Sequence, residues 1–184
     1  GDEFALGAKN LFCKMEKKSN GEYQFKVLNR DLFFSVANPY TSKLNKYPEY
    51  VIDAALLLGN DYCPRIGNNG AVTVLLGTLD TETKKRRSDS IIDNLAALTT
   101  DAERTEWLLK HGTNGKEEMP PEIRAIYWKA RKYMQNAPVL ERCKETGAVR
   151  IVPLNPLPDG VTNLAEHLEM PHLIELSLDH TLLS

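Results

Sequence analysis

Two short runs near the start, Leu11 to Met15 and Tyr23 to Val27, alternate apolar and polar residues, the period of a strand with one buried face. Between them, Glu16-Lys17-Lys18-Ser19-Asn20-Gly21-Glu22 is polar and holds an Asn-Gly step, so the pair predicts a hairpin. The apolar period then lengthens to that of a helix. Asn29 or Asp31 is placed to cap a helix through Leu32 to Val36, which should stop before Asn38-Pro39, because the residue preceding a proline disfavours the helical region. Tyr40 to Lys46 reads as a loop. Pro48 suits a first helical turn, and Tyr50, Val51, Ala54, Ala55 and Leu58 predict a helix up to Gly59. Ala71, Val74 and Leu75 predict another from Asn69 to near Gly77.

Asp80 to Ser90 is a polar stretch with four consecutive bases. Ser88 or Asp89 would cap a helix over Ser90 to Leu98, and Asp101 one through Trp107-Leu108-Leu109 that stops at Gly112, with His111 to Met119 as a loop. Pro120-Pro121-Glu122 opens a long helix with Ile123, Ile126, Tyr127, Ala130 and Tyr133 or Met134 on one face, closing before Pro138. Ile151 to Pro158 looks extended, and Asn163 caps a last helix to Met170, broken by Pro171. The pattern is α/β, mostly helical, with a short N-terminal hairpin.

At 184 residues and 42% hydrophobic, the chain has a globular composition. Its 23 basic and 25 acidic residues leave a net charge of -2, so any nucleic-acid contact must come from local clusters. The three cysteines, Cys13, Cys63 and Cys143, are odd in number and lack a C-x-x-C spacing, which points away from disulfides and zinc and towards a reducing, intracellular compartment. Neither a membrane span nor a secretory leader is expected. The opening Gly1-Asp2-Glu3-Phe4 lacks an initiator methionine and reads as the middle of an element, so the chain is expected to be a fragment.

The segment Leu56 to Gly70, LLLGNDYCPRIGNNG, places Asp61 just after an apolar helical run, where the helix would lift it to the rim of a core. Taken alone, Asp61 is either a metal-site carboxylate or a turn residue bonded to its own backbone. Glu49 and Asp53 read as a solvated helix face, Tyr62 as packing and Cys63 as a small buried residue. Trp107, Tyr127 and Trp128 read as core. His111, His167, His172 and His180 have no paired zinc spacing and read as surface groups.

LLLGNDYCPRIGNNGAVTVLL resembles the segment of flap endonuclease and exonuclease-1-type 5′ nucleases in which an apolar helix leads to Gly-x-Asp-Tyr and a helix-hairpin-helix-like turn. Asp2 to Leu11 resembles that family's internal Asp-x-Asp motif, with Asp2 as the second aspartate, and Ala130 to Val139 its late helix and proline turn. The resemblance covers about residues 2 to 140 and implies the C-terminal half of a PIN-like nuclease core, inactive by itself. Residues 1–77 would carry the metal-site aspartates and the start of the helix-hairpin-helix-like unit, 78–140 the helical DNA-binding side, and 141–184 an extension. Asp2 and Asp61 would then be catalytic metal ligands for two Mg²⁺ ions, the other ligands coming from the absent N-terminal half. Such carboxylate clusters suit phosphodiester hydrolysis because hard oxygen ligands hold the ions that polarise phosphate and activate water.

By the same resemblance, Ile66, Gly67, Asn68, Asn69 and Gly70 would hold duplex, with K⁺ at the turn; Arg65 beside it is either a phosphate contact or a surface residue. Lys84, Lys85, Arg86 and Arg87 would neutralise phosphates, unless that run is only a solvated loop. Ile66-Gly67-Asn68-Asn69-Gly70 departs from the family's usual Arg-Gly-Ile-Gly at the two asparagines, which puts K⁺ coordination in doubt. The implied activity is Mg²⁺-dependent cleavage of branched or 5′-ended DNA, in repair or replication in the nucleus. The alternatives are an inactive nucleic-acid-binding or scaffold domain and an RNA-directed 5′ exonuclease relative.

Overall fold

A computed structural model describes residues 2–77, 89–115 and 117–170, except for the side chains of Asp2, Glu3, Cys13 and Lys14. It is mixed α/β and divides into two compact units, Gly1–Tyr127 and Trp128–Ser184. No helix among the described residues is long and apolar enough to cross a membrane.

The first unit opens with a short helix α1, Asp2–Ala5, followed by the expected hairpin of β1, Asn10–Lys17, and β2, Tyr23–Asn29. Its register pairs Phe12 with Val27 and Met15 with Phe25, and a bulge between Phe12 and Lys14 absorbs one residue of β1. Asn29 then caps α2, Arg30–Ser35, by accepting from the Leu32 amide at 3.1 Å. The next stretch corrects the sequence reading, because residues 39–46 form a helix, α3 (Pro39–Lys46), and not a loop. Asn38-Pro39 ends one helix and starts another. The Asn38 Oδ1 accepts from the Tyr40 and Thr41 amides at 2.9 and 3.0 Å, and Pro39 occupies the first turn, where its missing N–H is no loss.

Pro48–Tyr50 form a 3-10 turn that runs into α4, Val51–Leu58, and the helix ends at Gly59 with φ +87°. Ala54, Leu56 and Leu57 are buried along α4. Asp53 is buried with them, contrary to the solvated role read from the sequence, because its carboxylate accepts a hydrogen bond from the fully buried Tyr127 hydroxyl. Asp53→Ala would remove a buried hydrogen-bond acceptor from the interior, so a loss of about 2–3 kcal/mol is expected from urea unfolding, with Asp53→Asn losing less because it keeps an acceptor.

Residues 71–76 are helical as anticipated, as a π-turn over Val72–Leu76 that closes at Gly77. Helix α5, Ile91–Ala97, is capped by Ser90 and not by Ser88 or Asp89; Ser90 and Asp93 form a reciprocal capping box. Asp93 also meets Lys43 of α3 at 2.6 Å in a mostly buried ion pair. Helix α6, Asp101–His111, repeats the device, with Thr100 and not Asp101 as cap and Glu103 as its partner. Hydrogen bonds from the Thr100 amide, the Thr99 and Thr100 hydroxyls and the Thr99 amide hold the Glu103 carboxyl down from 4.5 to about 2. A depressed carboxyl stabilises the fold above its unfolded pKa and ceases to as the pH falls through its folded one. The start of α6 should therefore fray between pH 4.5 and about 2, and a Glu103 side-chain NMR titration, compared with Thr100→Ala, checks this.

Helix α7, Pro121–Gln135, buries Tyr127, Ala130 and Met134, whereas Ile126, expected on the same face, points outward. Trp107 and Trp128 are only half-buried. In the second unit, β3 (Pro138–Arg142) and β4 (Val149–Pro153) form a hairpin of which the sequence suggested only the later, extended part. Asn163 caps α8, Leu164–His167, whose Ala165 lies with Leu168 in a small core packed by Tyr133, Leu164 and Met170. His167 is half-buried and not a surface group: its Nε2 lies 3.1 Å from the Asn136 Oδ1, and burial together with Lys132 pushes its pKa down.

Candidate metal and nucleic-acid site

Helix α4 stops at Gly59 because only a residue without a side chain fits there. A Cβ on Gly59 would stand 2.7 Å from the Arg65 amide nitrogen, where the loop folds back on the helix. The Ile66 amide, bonded to the Leu57 carbonyl at 3.4 Å, closes that return. Within it, Asn60 shapes the turn. Its Oδ1 accepts from the Tyr62 and Cys63 amides at 2.9 and 3.0 Å, and its own N–H donates to the Cys63 carbonyl at 2.8 Å.

The neighbouring Asp61 is thereby left uncommitted: it is exposed, and its carboxylate has no hydrogen-bond or ion-pair partner among the described residues. The backbone-bonding role that sequence alone allowed Asp61 is filled by Asn60. Tyr62 is more exposed than expected, at 38%. Cys63 is buried as expected, and burial pushes its thiol pKa up, away from nucleophilic use.

Helix α1, which begins at Asp2, packs against α4. Phe4 and Ala5 line a cavity of about 340 Å³ together with Val51, Ala54, Leu58 and Gly59. A carboxylate such as that of Asp61 is the oxygen donor that Mg²⁺ takes. Among the described residues no three Asp, Glu, His or Cys side chains converge on one point, so Asp61 fits as one ligand and does not by itself make a metal site.

The following turn is pinned to the end of α6. Gly67, with φ +55°, passes so close that a Cβ would lie 2.1 Å from the Thr113 carbonyl oxygen, to which the Asn68 amide donates at 3.1 Å. Asn69 is fully buried, and its Nδ2 donates to the Gly112 carbonyl while its Oδ1 finds no donor among the described residues. Ile66 is buried too. Of the residues anticipated to face nucleic acid, Ile66 and Asn69 therefore turn their side chains inward. Arg65, Gly67 and Asn68 are exposed and Gly70 is half-exposed, and the Gly67 and Gly70 amides have no acceptor among the described residues.

Arg65, Gly67 and Asn68 border a cleft of about 370 Å³ that Thr113, Glu117 and Glu118 close from the other side. The two glutamates put negative charge in the same cleft as Arg65. Lys84, Lys85, Arg86 and Arg87 lie outside the described residues. Asn60 and Thr113 were missed as site residues; the Asx-turn chemistry of Asn60 was readable in Gly-Asn-Asp, whereas nothing in the sequence ties Thr113 to Asn68. Compared with protein-family models, curated proteins and solved structures, the chain gives no match.

Proposed function

We propose that the chain is the C-terminal part of a flap endonuclease or exonuclease-1-like 5′ nuclease core with a PIN-like fold, which grips duplex DNA at the turn after α4 and presents Asp61 to a divalent metal. The observation that carries this reading is the uncommitted Asp61 carboxylate at the α4 exit, where α1, the helix that begins at Asp2, also packs. Mg²⁺, completed by carboxylates outside the described set, supplies the Lewis acidity for phosphodiester hydrolysis. This chain's own residues do the positioning: Asn60 shapes the turn that leaves Asp61 outward, and the Gly67 and Gly70 amides with Arg65 meet the phosphate backbone.

Fluorescence anisotropy of the chain with a 5′-flap DNA duplex tests the grip. Arg65→Ala is expected to weaken binding about fivefold and to lower the salt slope by about one, with no change in fold. Equal affinity and equal salt slope for Arg65→Ala would remove Arg65 from the interface. Matched DNA and RNA substrates separate a DNA enzyme from an RNA-directed relative. The second reading, a nuclease-derived binding or scaffold domain without hydrolysis, is favoured by the buried Asn69, whose brace to α6 replaces a glycine-built turn.

A further inference from the structure

The β1–β2 hairpin is a two-faced ribbon. The register places Phe12 opposite Val27, Met15 opposite Phe25 and Lys17 opposite Tyr23, so the three pairs share a face. The bulge keeps Phe12 on that face; without it Phe12 would turn away from Met15. The reverse side carries Lys26, Gln24 and Glu16. Phe12 and Phe25 stack edge to face at 6.3 Å, yet Phe12, Met15, Tyr23, Phe25 and Val27 remain between 44% and 72% exposed. At roughly 150–250 Å² for a large aromatic side chain, the face leaves about 500 Å² of apolar surface open to water. That is at the upper end of the largest patch on an ordinary monomer, and two strands alone are marginal in water.

Area and charge together select the occupant. About 500 Å² falls short of the ~800 Å² per partner of a stable interface between globular proteins, which argues against a second copy. The ribbon from Lys9 to Leu28 holds five lysines and only two glutamates, and the one charge that the register puts on the apolar face is that of Lys17, so the partner best matched to this face is acidic. Lys17 sits on the apolar face with its Nζ 5.8 Å from the Tyr23 ring centre, and Lys18 follows at the tip. Two strands ~4.8 Å apart make a face about as wide as one α-helix, and five residues of β2 span ~16 Å, the length of about three helical turns.

We propose that this face is the docking surface for an acidic amphipathic helix of about three turns, laid along the ribbon with its apolar stripe on Phe12, Met15, Phe25 and Val27 and its acidic residues toward Lys17 and Lys18.

The probe is a synthetic 14-residue amphipathic peptide with a Leu stripe and Glu on the other positions, set against the same peptide with Lys for Glu and against a scrambled acidic version. Anisotropy and circular dichroism should report saturable binding with helix induction for the acidic peptide, at least tenfold tighter than for either control. Phe25→Ser should weaken it about tenfold. Lys17→Glu with Lys18→Glu, which leaves the apolar packing in place, should reverse the preference toward the lysine peptide. Analytical ultracentrifugation should give a monomer. No binding, equal binding of acidic and basic peptides, an unchanged preference in the charge-reversed chain, or a dimer that Phe25→Ser dissolves would each overturn the proposal.

Discussion

Gly67→Ala should unfold the turn after α4. The glycine sits at φ +55°, and an added methyl would stand 2.1 Å from the Thr113 carbonyl oxygen, far inside contact distance and against backbone that is itself bonded to the Asn68 amide. Neither partner can give way cheaply, because Thr113 lies just beyond α6 and the Asn69 side chain already ties the turn to Gly112. The left-handed backbone alone costs an alanine about 1 kcal/mol, and the clash adds to it, so a loss of about 3 kcal/mol is expected from chemical denaturation. Gly70→Ala is the control, since a Cβ there meets nothing within 4 Å. Duplex affinity should collapse in the first variant and hold within about twofold in the second, because a side chain at Gly70 leaves its amide in place. If Gly67→Ala unfolds at the wild-type midpoint, the close approach of these two loops is not a feature of the folded protein.

Much of the local structure was written in nearby residues. The Asn-Gly turn and the alternation around it gave the first hairpin, and the Asn29 and Asn163 caps were legible because a side-chain oxygen acts on amides within three residues. Helix α3 was hidden because Asn38-Pro39 carries two opposite messages: proline bars the helix before it and suits the first turn of the one after it. Long-range partners were the other blind spot. Asp53 lies 74 residues from the Tyr127 hydroxyl that it accepts from, so its spacing on α4 looked like a solvated face. The strand at Pro138–Arg142 was missed for a similar reason, since its definition depends on pairing with Val149–Pro153.

At the candidate site, the sequence located Asp61 and the glycine-bearing turn, while the structure divided the labour within them. Asn60 takes the turn's hydrogen bonds and leaves Asp61 outward; Asn69 becomes an internal brace, so the exposed rim narrows to Arg65, Gly67, Asn68 and Gly70. Helix α1, which begins at Asp2, packs against α4.

The largest functional effect is expected at Asp61. Because its side chain is exposed and has no partner among the described residues, Asp61→Ala should leave the unfolding midpoint unchanged. A metal ligand removed from a two-ion phosphodiesterase forfeits several kcal/mol of charge stabilisation in the transition state, which corresponds to about 10³-fold in rate. Asn60→Ala, which frees the turn and keeps the carboxylate, should lower the rate by a smaller factor of about ten and should also lower stability by about 1 kcal/mol. The decisive measurement is Mg²⁺-dependent cleavage of a 5′-flap duplex by a protein that joins this chain to the remaining carboxylates of the site. Asp61→Ala is expected to cut at least about 10³-fold more slowly while folding and binding duplex as before. Cleavage by Asp61→Ala at the unaltered rate would contradict a metal-binding role for this carboxylate.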